Sequence, residues 1–190
     1  MGHRVISQAL HTLQRAPGVV AVLVARSFAL MRVREHGSNR GRWVDAIVEI
    51  GGGDDEAAGA WCAYFGWACW HIAALALGHR VTSRTSGGVV RSWHYATEGE
   101  RVTGTPRPGD LMCIVRNPEH LPAVRRGETV PGHMEIVRRV YESGMIDTIG
   151  GNTTGGDSAE GDGVYTHESL YSVYDPRLIG FIRPTLERLR

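Results

Sequence analysis

Cys62, His133, Glu135 and Asn152 are the side chains whose types and spacing can do chemistry together. A thiolate is a strong nucleophile toward a carbonyl carbon, an imidazole can relay a proton, and a carboxamide or carboxylate can hold that imidazole in one orientation. Cys62 stands in Gly59-Ala60-Trp61-Cys62-Ala63, at the start of a long apolar run. If that run is a helix, its free N–H groups and positive dipole end favour the thiolate. His133 opens the run His133-Met134-Glu135-Ile136-Val137 straight after Gly132, a predicted strand whose end borders a cleft.

A turn at Ser143-Gly144 pairs this strand with the one that follows. With a two-residue turn, Glu142 meets Met145 and Asn152 falls opposite Glu135. Side chains alternate along a strand, so His133, Glu135, Gly150 and Asn152 then share one face, with Asn152 diagonal to His133. This predicts Cys62 as nucleophile, His133 as base and Asn152 as the group that orients it. The prediction is sensitive to register, because one extra residue sends Asn152 to the other face.

The other two thiols, Cys69 and Cys113, read as small core residues. Three cysteines are an odd and small number, which argues against a disulfide framework. The remaining eight histidines, His167 among them, are expected on the surface or satisfied in the core.

The elements that must position these groups follow from pattern. Helices are predicted over residues 19–33, after the Ala16-Pro17-Gly18 break, and over Arg42–Ile50, where Val44, Ile47 and Val48 recur at helical spacing. Trp61–Leu77 is the longest apolar run and is expected as a buried central helix, with a short helix near 89–97. Strands are expected at Leu111–Val115, His133–Tyr141, Met145–Ile149 and Leu178–Ile182, with a polar loop over 117–131. The Gly-rich run 150–156 reads as a loop beside the cleft, since no Lys follows as a phosphate loop would need. Helices first and strands afterwards make an α+β fold.

The chain has 190 residues, enough for one domain with a sizeable core. Its formal net charge of +1 gives no global field for nucleic acid, and none is expected as a partner. Apolar runs are broken every few residues by Arg, Gly or His, so no stable membrane insertion is expected. Arg26 interrupts the run Val19–Ala25 and no small-residue cleavage site follows, so no signal peptide is predicted.

The blocks Glu35-His36-Gly37-Ser38-Asn39-Arg40-Gly41, Ala60-Trp61-Cys62-Ala63-Tyr64-Phe65, Pro108-Gly109-Asp110-Leu111, Gly132-His133-Met134-Glu135-Ile136-Val137 and Ile149-Gly150-Gly151-Asn152 resemble, in this order, a CHAP domain. CHAP domains are cysteine- and histidine-dependent amidohydrolases/peptidases, related to the NlpC-type cell-wall hydrolases. The resemblance runs from about Glu35 to Pro184 and implies a papain-like fold, with N-terminal helices, including a central helix that bears the Cys, on a small antiparallel sheet. It divides the chain into an N-terminal helical extension (1–34), a catalytic domain (35–184) and a C-terminal tail (185–190). On the matching positions Cys62 is the nucleophile, His133 the base and Asn152 the orienting residue. Many CHAP domains carry an acid two positions before this Asn, where the chain has Gly150, and Glu135 on the same face is the substitute.

The implied substrate is peptidoglycan, cut as a muramoyl-L-alanine amidase or a stem or cross-bridge endopeptidase would cut it. No cofactor or metal is expected, and a monomer is. The implied protein is made in the cytoplasm and acts on the wall after release or delivery, as a phage lysin or a delivered effector. Two other readings fit the same residues: a papain-like peptidase or amidase acting on a protein, and a non-catalytic wall-binding or virion component.

Overall fold

The structure, a computed structural model, describes residues 16–53, 59–155 and 161–190. Pro17 fixes the backbone angle that a first helical turn needs, and α1 (Pro17–Leu30) starts there, burying Ala21, Ala25 and Phe28. After a turn, α2 (Arg42–Ile50) buries Val44, Ile47 and Val48, the three positions its spacing singles out. The central helix α3 (Cys62–Ala76) is buried on nearly every face, which its uniform apolar character requires.

Beyond it come β1 (His79–Val81), α4 (Val89–Tyr95), the wholly buried β2 (Leu111–Val115), a short 3₁₀ turn (Pro118–His120) and α5 (Leu121–Arg125). The chain then forms β3 (Gly132–Val140), β4 (Met145–Thr153), β5 (Gly163–Ser172), β6 (Leu178–Ile182) and β7 (Leu186–Arg188). The main sheet is antiparallel with strand order β5-β4-β3-β2-β6, and β1 pairs with β7 in a second, two-stranded one. The α+β, papain-like class is as expected.

The sheet presents two faces to two cores. Met134, Ile136 and Ile149 lie in the larger core with Trp61, Phe65 and Phe28, under α3. Val137, Ile146 and Tyr171 pack in a smaller cluster on the other side. Alternation therefore places Glu135 on the face away from the central helix.

Two glycines bring α3 against the sheet. A Cβ on Gly66, one turn past Cys62, would stand 3.0 Å from Met134 Sδ, and one on Gly151 would stand 2.6 Å from Phe65 and Trp61. The Pro108-Gly109-Asp110 turn anchors the other end of β2: buried Asp110 accepts two hydrogen bonds from Arg183, at 2.8 and 2.7 Å, and one from the Arg107 N–H.

The helix of the expected extension, α1, packs into the common core, and residues 186–188, in the expected tail, form β7 against β1; the two expected loops need correction. Residues 1–15 lie outside the described residues. The polar loop over 117–131 contains the 3₁₀ turn and α5. Gly150 and Gly151 extend β4, whereas 156–160 lie outside the described residues.

The β3–β4 register also differs from the expected one. The Tyr141 N–H bonds the Met145 carbonyl, which makes the turn one residue longer, and a bulge between Val137 and Arg139 shifts the ladder once more. Two one-residue shifts restore parity, so Gly150 keeps the face of His133 and Glu135, but Glu135 now pairs with Gly150 instead of Asn152.

Candidate active site

Cys62 is the first residue of α3, where the opening N–H groups have no acceptor within the helix and no side chain caps them. The described cysteines are all free. Burial raises the thiol pKa of Cys62, but the charge of His133, a hydrogen bond to it, the Met134 backbone N–H and the charge of Arg116 together bring it below the ordinary value. Cys69 and Cys113 meet only the opposite influence: burial pushes both thiols up, and for Cys113 the charge of Cys62 adds to it. The helix start thus separates one reactive thiol from two inert ones.

His133 holds the next position. Its Nε2 donates to Glu135 Oε1 at 3.0 Å, which leaves the Nδ1 edge for Cys62, with Arg116 Nη2 3.2 Å from the same nitrogen. Burial disfavours the imidazolium, but the charge and hydrogen bond of Cys62 and then those of Glu135 raise its pKa to about 9. The lowered thiol and the raised imidazole both favour the thiolate and imidazolium pair, the charge state an acyl-transfer nucleophile needs.

Glu135 is fully buried and its carboxylate accepts from four side chains. His133 and Tyr171 reach Oε1, at 3.0 and 3.2 Å, while His167 Nδ1 at 2.9 Å and the Thr148 hydroxyl reach Oε2. Burial alone would keep it protonated; the hydrogen bonds and charges of His133 and His167 instead lower its pKa to about 2. A carboxylate so fully donated to is fixed in place and charged.

Asn152 does not serve His133. Its backbone sits at φ 54°, and β4–β5 pairing is irregular between Gly150 and Thr153, so the side chain leaves the ladder. Its Nδ2 donates to Glu35 Oε1 at 3.1 Å and Asn39 Oδ1 at 2.8 Å. Glu35 also accepts from the Trp61 indole N–H at 2.8 Å and from the Asn39 backbone N–H at 2.8 Å. The expected orienting contact is thus corrected: Asn152 ties the 35–39 segment to β4 and to the residue before Cys62, and Glu135 takes the ring nitrogen it was expected to hold.

A family model described as the CHAP domain matches residues 53–152. The chain belongs to the CHAP family. At the family's level, this CHAP domain is a hydrolase of the amidase or peptidase type, directed at peptidoglycan. No curated protein and no solved structure matches the chain significantly.

The matched CHAP span contains Cys62, His133, Glu135 and Asn152 but ends before β5, which carries His167 and Tyr171. Sequence reasoning missed both, together with Arg116 and Thr148. The signal for His167 was available only in part: Val164, His167 and Tyr171 are buried along β5, but a bulge-ridden strand does not keep strict alternation. Among the described residues of this CHAP domain, no cluster of three His, Cys, Asp or Glu side chains is arranged to hold a metal ion. Nor is any described helix long and apolar enough to cross a membrane.

Proposed function

We propose that this chain cleaves an amide bond of peptidoglycan by nucleophilic catalysis, with Cys62 as nucleophile, His133 as acid and base, and Glu135 as the group that aligns and charges His133. The observation that carries the reading is the line Cys62, His133, Glu135: a helix-start thiol with a lowered pKa, bonded to an imidazole whose far nitrogen donates to a buried carboxylate. The Cys62 thiolate adds to the amide carbonyl carbon, and the displaced electron pair collects on oxygen near the N–H groups that open α3. As the C–N bond breaks, the electrons return and His133 gives its proton to the leaving nitrogen. Neutral His133 then takes a proton from water, whose oxygen attacks the thioester and releases the thiolate and a carboxylic acid.

Two cut positions suit this chemistry, the muramoyl-L-alanine amide and an amide of the stem or cross-bridge. Either requires that the protein reach the wall by release or delivery, as a phage lysin or effector does. Digestion of purified sacculi followed by mass spectrometry of the soluble fragments tests the reading. New amino termini without new reducing sugar ends are expected, and the fragment masses identify the bond. New reducing ends without new amines would replace the amide reading with a glycosidic one.

A further inference from the structure

On the far side of Glu135 lies a second imidazole. His167 stands on β5 opposite Thr148 of β4 and is 3% exposed. Its Nδ1 is 2.9 Å from Glu135 Oε2, and its Nε2 is 2.7 Å from the Thr154 carbonyl oxygen. Both partners are acceptors. A backbone carbonyl has no proton to offer, and the Glu135 carboxylate is held ionised by three other donors, His133 and the Thr148 and Tyr171 hydroxyls.

A neutral imidazole has one N–H and one lone pair. Either tautomer would therefore press a nitrogen lone pair against an oxygen at less than 3 Å inside the protein. Only the doubly protonated ring satisfies both contacts. We propose that His167 is a fixed imidazolium which positions Glu135 on His133 and, by sharing the carboxylate's charge, limits how tightly His133 holds its proton. The inference rests on the reading of Cys62, His133 and Glu135 as the reactive line, and makes His167 a positioning residue within it.

The surroundings fit a charged ring. Burial disfavours protonation of His167, but the hydrogen bond and charge of Glu135 and the Thr154 carbonyl raise its pKa overall, against repulsion from His133. Glu135 reaches it from β3, and the Tyr171 ring packs edge-on at 6.2 Å on its own strand. The groups facing His133 are Cys62 of α3, Arg116 just after β2 and Glu135. In the state these contacts favour, charges alternate along the line: thiolate, imidazolium, carboxylate, imidazolium. With His167 removed, Glu135 would place its whole charge on His133, whose proton would pass less readily to the leaving nitrogen.

Nitrogen-15 NMR of the histidine side chains, with His167 assigned in the wild type by correlating its ring with its own backbone resonances, reads the state directly in the intact protein. Both ring nitrogens of His167 should carry protons from pH 6 to 8. In His167→Asn, whose amide can still donate to Glu135, the titration of His133 should move up by about one pH unit. A neutral, singly protonated His167 at pH 7 would overturn the proposal, and so would a folded His167→Asn protein in which His133 titrates unchanged or lower. The wild-type spectrum decides even if the variant does not fold. No substrate enters the measurement, so failure to cleave wall fragments would overturn the proposed activity and leave this result standing.

Discussion

Gly150 stands directly opposite Glu135 in the β3–β4 ladder, and a Cβ on Gly150 would come within 2.7 Å of Glu135 Oε1. The carboxylate that meets His133 thus occupies the volume a side chain at position 150 would fill. One volume beside the imidazole takes one acid, and in this chain the acid comes from the strand that carries the histidine.

That exclusion predicts the behaviour of a swap. Gly150→Ala should push the carboxylate off His133 and lower the rate of amide cleavage about tenfold or more, since misplacement by an ångström is costly in catalysis. Glu135→Ala should lower it further. The double variant Glu135→Ala/Gly150→Glu should recover part of that loss, because a carboxylate from β4 then enters the vacated space. Turnover on defined muropeptides checks all three, and a wild-type rate in Gly150→Ala would show that Glu135 is not held where the structure has it.

Asn152 should behave as a structural residue. Asn152→Gly tolerates the backbone at φ 54° while removing two hydrogen bonds, one of them to the Glu35 carboxylate. A loss of about 2 kcal/mol in unfolding free energy is expected. The pH dependence of cleavage should keep its shape, whereas Glu135→Gln should move the alkaline limit to lower pH, because a nearby carboxylate favours the imidazolium. Chemical denaturation and pH–rate curves of both variants separate the two roles.

Much of this arrangement was legible in the sequence. The helix start at Cys62, the strand at His133 and the shared face of His133 and Glu135 all follow from pattern and alternation. The place of Asn152 was not, because it depended on two local irregularities: a longer turn closed by Tyr141 and Met145, and a bulge after Val137. Neither leaves a mark in residue type. His167 was hidden for a different reason. Its role depends on β5 pairing with β4, a long-range contact that a polar, irregular strand does not announce.

Stability should fall at both ends of the pH range. The Glu135 pKa is lowered from 4.5 to about 2, so its ionisation stabilises the fold above about 4.5, and that contribution is lost as pH falls toward about 2. The His133 pKa is raised from 6.5 to about 9, so its protonation stabilises the fold below about 6.5, and that contribution is lost as pH rises through about 9. Melting temperatures measured from pH 2 to 10 should show both declines. Glu135→Gln should flatten the acid one, and an unchanged acid limb in that variant would mean the carboxylate is not ionised in the fold.

Only Cys62 should react in the folded protein. Burial keeps Cys69 and Cys113 as neutral thiols, whereas the contacts of Cys62 with His133, Met134 and Arg116 favour its thiolate. Iodoacetamide at pH 7, followed by peptide mapping, should label Cys62 alone. Cys69→Ala and Cys113→Ala should cost about 1 kcal/mol each in stability and leave cleavage within an order of magnitude. Equal labelling of all three thiols under native conditions would contradict the assignment.

Release of new amino termini from purified muropeptides, compared between wild type and folded Cys62→Ala, tests most directly whether this thiol is the nucleophile. The expected result is cleavage by the wild type and a loss on the order of a thousandfold or more in the variant, as for other nucleophile deletions. Wild-type amine release by folded Cys62→Ala would contradict it.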